Sequence, residues 1–197
     1  MSTAPQPPAA QDPEPASAGG TGPELLLHVQ RACAAADQPS DADLCTWVRA
    51  ALAHGIVAPR SAAELTLRIV DTDEGAELNQ HYRGRSGPTN VLSFPHQPPD
   101  GLPLEAADAL RAELDAQLGD LVICDPVVRR EARDQGKPLA AHYAHMVVHG
   151  SLHLLGYDHI QATDAAEMEA LETAILAGLG FSSPYEVTDD PNDERPI

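Results

Sequence analysis

Residues 149–159 read H-G-S-L-H-L-L-G-Y-D-H, an H-x-x-x-H-x-x-G-x-x-H frame, and no other stretch limits the fold as tightly. His149 and His153 are four residues apart. On a helix their imidazoles stack on one face, one turn apart, and can grip a single ion from the same side. Gly156 stands where a helix C-terminus needs a residue free to adopt positive φ. The chain can then turn back and present His159 as a third ligand. Three neutral nitrogens with one position left open describe a catalytic zinc site, since a structural site is closed by four protein ligands. Water in that open position loses its proton near neutral pH and becomes a nucleophile. The expected content is one Zn2+ per chain. The stripe continues upstream through His142 and His145, so periodicity alone also allows His145 with His149. The Gly156 turn and His159 favour His149 with His153.

The same frame occurs in metzincin proteases, where the residue after the first histidine is the glutamate that serves as general base. Here that residue is Gly150. A peptidase on this frame would lack the group that takes the proton from water, which counts against proteolysis and leaves the metal reading intact.

Charge bears on the partner. The 197 residues, enough for one domain with a sizeable core, carry 30 acidic and 12 basic side chains, a net charge of −18. Without residues 1–23 and 188–197 the body still stands at −13, with 24 acidic against 11 basic residues. Such a charge favours solubility and opposes generic binding to polyanions, so DNA is not expected as a partner. Any nucleic-acid contact calls for basic residues that are locally concentrated. Cys33, Cys45 and Cys124 are an odd, widely spaced set without a C-x-x-C pair. Reduced thiols and a cytoplasmic location follow as the expectation. No signal peptide and no stretch of transmembrane length is expected.

Residues 1–23 are rich in Ala, Pro, Gly and Ser without apolar period and are expected to form a disordered tail; residues 188–197 form an acidic C-terminal tail. Between them, residues 24–187 are expected to form one domain. Strands are predicted over Glu24–Gln30, Glu64–Asp71, Thr89–Phe94 and Asp120–Cys124. Helices are predicted from Ser40 as N-cap to Ala53, from Asp73 as cap to Tyr82, over Leu104–Leu118, over Pro126–Gln135, and from Pro138 to about Leu155. A last helix is predicted from Thr163 as cap, with Met168, Leu171, Ile175 and Leu179 as its buried stripe. The expected fold is α/β (α+β): a single compact domain, a mixed sheet of about four strands, about five helices, and the zinc site on a helix and the turn after it. Strand order does not follow from these patterns.

Arg83 and Arg85 flank Gly84 just before a loop-to-strand transition, where side chains are often held over a cleft. A guanidinium there could hold two phosphoryl oxygens at once. As plain surface residues the two would be solvated cations, and for Arg85 that reading is at least as good. Arg129, Arg130, Arg133 and Lys137 form the other local basic cluster and read as a solvated helix face.

Three segments, L-N-Q-H-Y-R-G-R-S-G-P-T-N-V-L-S-F-P (78–95), G-D-L-V-I-C (119–124) and the histidine frame, resemble the YbeY family of bacterial metal-dependent endoribonucleases of rRNA maturation. The resemblance spans roughly residues 24–187. It implies a zinc site made by His149, His153 and His159 and a catalytic role for Arg83, beside which Arg85 is the candidate substrate contact. It also implies single-stranded RNA as substrate, 16S rRNA 3′-end maturation on the small ribosomal subunit, and ribosome quality control. Two other readings share the metal: a zinc-containing ribosome-assembly module without catalysis, and another metallohydrolase acting on amides. The general base is not identified; Asp158 and the metal site acting alone are both open.

Overall fold

β2 (Ala62–Val70) alternates as far as Ile69, and Leu65, Leu67 and Ile69 are at most 1% exposed on the face that becomes the core. Alternation of this kind marks a strand buried on one side. The computed structural model describes residues 23–54, 61–97, 110, 113–159 and 161–185. In it β2 pairs parallel with β1 (Glu24–Arg31) on one side and with β4 (Gln117–Cys124) on the other. β3 (Val91–Pro95) closes the far edge antiparallel to β4, with Leu92 opposite Val122 and Phe94 opposite Asp120. The sheet order is β1-β2-β4-β3, a four-stranded mixed sheet. β4 is central and covered on both faces, so its last four residues, Leu121 to Cys124, are all buried.

Five helices with bounds among the described residues surround the sheet, besides a helical segment at residues 113–116: α1 (Asp41–His54), α2 (Thr72–Arg83), α3 (Asp125–Asp134), α4 (Leu139–Leu154) and α5 (Ala162–Gly178). α4 lies across β3 and β4 and also touches α1, α3 and α5. Ten of its sixteen residues are buried, Tyr143, Val147 and Leu152 completely. The larger core fills the space between α1, α4, α5 and the sheet. A smaller cluster of Val70, Leu92, Val122, Cys124 and Val127 lies on the opposite face, where α2 and α3 meet β4.

Four local expectations need correction. The N-cap of α2 is Asp71, whose side chain accepts from the Glu74 amide at 3.0 Å; Asp73 sits inside the first turn. Asp71 leaves β2 in extended conformation, and only from there can a carboxylate fold back onto the helix amides. Gln161, not Thr163, precedes α5, and the Thr163 hydroxyl bonds Asp164 instead. The buried stripe of α5 runs through Met168, Glu172, Ile175 and Leu176, with Leu171 and Leu179 only half-buried. The helix predicted over Leu104–Leu118 lies largely outside the described residues. Residues 113–116 are helical, but Gln117 and Leu118 already belong to β4. Ser40 does cap α1, accepting from the Asp43 amide at 3.2 Å while Asp43 accepts back from the Ser40 amide and hydroxyl. Apart from Pro23, the expected tails lie outside the described residues.

Candidate metal centre

The last turn of α4 builds the site. Leu155 ends the helix, and Gly156 follows at φ 93°, in the left-handed region where glycine avoids the Cβ clash. The Gly156 amide donates to the His153 carbonyl at 3.0 Å and the Tyr157 amide to the Leu152 carbonyl at 3.1 Å. This paired 5→2 and 6→1 pattern satisfies carbonyls the helix end would orphan, and reverses the chain. The reversal brings His159 back beside His149 and His153, with ring centroids 5.6 and 4.9 Å away. One ligand atom from each of the three histidines lies within 4.8 Å of the others.

Orientation comes from what holds each Nδ1. In His149, Nδ1 donates to Glu172 Oε1 at 2.8 Å; in His153, Nδ1 donates to the Tyr157 carbonyl at 2.9 Å. Both acceptors lack a proton to give, so both rings are Nδ1–H tautomers when neutral. Their Nε2 atoms then face each other across 3.2 Å as two bare lone pairs. A cation between them resolves that repulsion. Tetrahedral zinc with Zn–N of about 2.0–2.1 Å separates its nitrogens by about 3.3 Å, so the observed spacing fits the ion. Burial pushes the His153 imidazole below its ordinary pKa, and its histidine neighbour adds to the effect. The neutral form that binds metal is therefore favoured.

His145, the alternative partner of His149, is engaged elsewhere. Its Nε2 lies 2.9 Å from Glu172 Oε2, and it stands outside the convergence point of His149, His153 and His159. His145, His149 and Glu172 could also hold an ion by proximity alone. However, the contacts of both imidazoles to Glu172 are at hydrogen-bond distance, and Glu172 is additionally bonded by the Tyr185 hydroxyl. Burial works to raise the Glu172 carboxyl, but the hydrogen bonds from His145 and His149 prevail and hold it at about 2.

The three histidines face a cleft of about 710 Å³ that is also lined by Arg83, Arg85, Asn90, Ser93, Tyr157 and Asp158. Arg83 ends α2, where Gly84 at φ 65° turns the chain and donates to the Gln80 carbonyl. Asn79 then clamps the following loop through the Gly87 carbonyl at 2.8 Å. Neither Arg83 nor Arg85 pairs with a carboxylate among the described residues. Arg129, by contrast, is held by Asp125 at 2.7 Å, and Lys137 by the Pro184 carbonyl at 2.6 Å. Those two members of the second basic cluster are structural. Positive charge without a carboxylate partner among the described residues therefore lines the histidine cleft of a chain whose net charge is −18.

Gly150 faces away from the cleft into the sheet. A Cβ there would stand 2.2 Å from Leu121 Cδ1 and 3.2 Å from both Ser93 Oγ and Val91 Cγ2. At the position that carries the general base in metzincins, a side chain here would press into Leu121 in the core.

A family model described as endoribonuclease YbeY matches residues 33–180. The chain belongs to the YbeY family. Among its YbeY relatives, the Alcanivorax borkumensis protein named endoribonuclease YbeY is 49% identical, covering 88% of this chain and 94% of that one. The protein of the same name from Alkalilimnicola ehrlichii is 54% identical over 84% of this chain and 93% of its own length. A Thermotoga maritima protein solved in solution is similar at a TM-score of 0.46 and 20% identity, covering 82% of this chain and 99% of that one.

Sequence reasoning on this YbeY chain passed over Glu172. It occupies the apolar stripe of α5, between Met168 and Ile175, and is 1% exposed. A carboxylate inside a buried stripe was the available signal, because an acid is almost never buried unpaired.

Proposed function

We propose that this YbeY-family chain is a zinc-dependent endoribonuclease that cuts single-stranded RNA, with His149, His153 and His159 holding the ion. Its relatives carry the name endoribonuclease. The observation that carries the reading is the pair of anchored imidazoles with Nε2 atoms 3.2 Å apart, in the same cleft as two arginines without carboxylate partners among the described residues. Zinc bound there would supply Lewis acidity and lower the pKa of a bound water. Arg83 spans two non-bridging oxygens of the scissile phosphate and stabilises the charge that develops on them. Arg85 holds a neighbouring phosphate. The proton of the attacking water goes to Asp158, the one carboxylate among the described residues that line the cleft.

The substrate we assign is precursor 16S rRNA on the small ribosomal subunit, in 3′-end maturation and ribosome quality control, with residues 24–187 as the catalytic domain and tails outside it. Three free cysteines agree with a reducing cytoplasm. No helix among the described residues is long and apolar enough to cross a membrane.

The test is cleavage of a single-stranded precursor rRNA by native, metal-stripped and zinc-restored protein, alongside elemental analysis of His149→Ala, His153→Ala and His159→Ala. Cleavage should vanish on stripping and return with zinc, and each variant should lose metal. A stripped protein that stays folded and still cuts refutes the zinc requirement. Zinc-restored protein that binds rRNA without cutting it favours the assembly-module reading.

A further inference from the structure

We propose that Glu172 is a positioning residue of the metal centre: its carboxylate locks His149 as the Nδ1–H tautomer and thereby aims the Nε2 lone pair at the ion. The inference rests on His149 being a ligand. Glu172 comes from α5, a different helix from the one that carries His149 and His153. It is almost completely buried, yet both of its oxygens are used. Oε1 accepts from His149 Nδ1 at 2.8 Å, and Oε2 accepts from His145 Nε2 at 2.9 Å and from the Tyr185 hydroxyl.

An ionised carboxylate only accepts. Each of its three neighbours must therefore donate, and this decides the tautomer of both histidines. For His149 the result is a bare Nε2 pointing at His153 Nε2. For His145 the bare atom is Nδ1, which is buried with no partner among the described residues. That unsatisfied nitrogen is a cost of the arrangement, and it is what a ring held for the sake of its neighbour would show. A carboxylate behind a ligating imidazole also makes the ligand more basic.

A glutamine in the same place separates positioning from mere packing. It fills the same volume, but its amide can turn either oxygen or nitrogen toward His149. Only the first orientation preserves the Nδ1–H tautomer. Packing survives while the lock is lost.

The direct test needs no variant. Nitrogen-15 NMR of the histidine rings in metal-stripped wild-type protein, at a pH where they are neutral, reads each tautomer. His149 should be protonated on Nδ1 and bare on Nε2; Nε2–H at His149 overturns the proposal. The second test is zinc affinity by chelator competition. Glu172→Gln should bind about 10–100-fold more weakly, with the melting temperature of the metal-free protein little changed and His149 split between tautomers. Tyr185→Phe keeps both imidazole bonds and should stay near wild type in affinity. Wild-type zinc affinity in folded Glu172→Gln refutes the role. His149→Ala separates the two levels: full zinc content in that variant overturns the ligand assignment itself, whereas loss of zinc there with unchanged Glu172→Gln overturns only the positioning role.

Discussion

Gly150 offers a quantitative test of how tightly α4 is seated on the sheet. In a helix interior alanine is favoured over glycine by about 1 kcal/mol. Against that gain, the new Cβ would lie 2.2 Å from Leu121 Cδ1, and Leu121 is 0% exposed and central in the core. Overpacking of this kind costs about 1–3 kcal/mol. Gly150→Ala should therefore be destabilised by about 1 kcal/mol net, lowering the melting temperature by about 2–4 °C for a chain of this size. Leu121→Ala alone should lose about 2–5 kcal/mol through the cavity it leaves. In the double variant the methyl group added at position 150 enters that cavity, so the combined loss should fall short of the sum by about 1–2 kcal/mol. Urea unfolding of the four metal-free proteins measures this cycle. Strict additivity, or a stabilised Gly150→Ala, would refute the contact. Gly150→Glu extends the argument: a carboxylate pressed against Leu121 and Val91 without a partner costs several kcal/mol, so restoring the metzincin pattern should abolish folding rather than create a peptidase. A soluble, peptide-cleaving Gly150→Glu would overturn both the packing and the exclusion of proteolysis.

Arg83→Ala should keep zinc and fold yet cut RNA slower by about a hundredfold or more, Arg83→Lys should recover part of the rate, and Arg85→Ala should cost much less; single-turnover rates at matched zinc occupancy decide, and an unimpaired Arg83→Ala removes it from the site. Burial pushes the His142 and His153 imidazoles below their ordinary range. Their contribution to stability is thus fully present above about pH 6.5 and falls as the unfolded chain takes up protons first below it. The melting temperature of metal-free protein should accordingly drop from about pH 6.5 downward, less so in His142→Gln, and a rise on acidification would contradict the burial. Deleting residues 1–20 should leave melting temperature and zinc content unchanged, because that composition cannot bury a core; a large drop in melting temperature would show that the segment packs on the body.

The histidine frame was legible because its geometry is local. Four residues on a helix set the angle between His149 and His153, and a glycine at the end sets the turn, whatever surrounds them. The same holds for the alternation of β2 and for the Ser40 cap, each decided within a few residues of chain. Caps fared worse where two acids or hydroxyls competed: Asp71 and Asp73 are equally plausible in the sequence, and the exit direction of β2 chose between them.

What lies beyond local spacing needed the packed chain. Arg83 shares a cleft with His149 only because α2 ends beside β3, where Tyr82 meets Phe94, and α4 lies against β3. Glu172 meets His149 only because α5 packs on α4. Gly150 read as a missing catalytic group, and became a packing requirement once β4 set Leu121 beneath it. Backbone periodicity determines which side chains share a face of one element, so the sequence alone supplied the spacing of His149 and His153. It is silent on which faces meet, because that depends on burying all the apolar faces together. The cleft, its two arginines and the carboxylate behind His149 were therefore decided by tertiary structure.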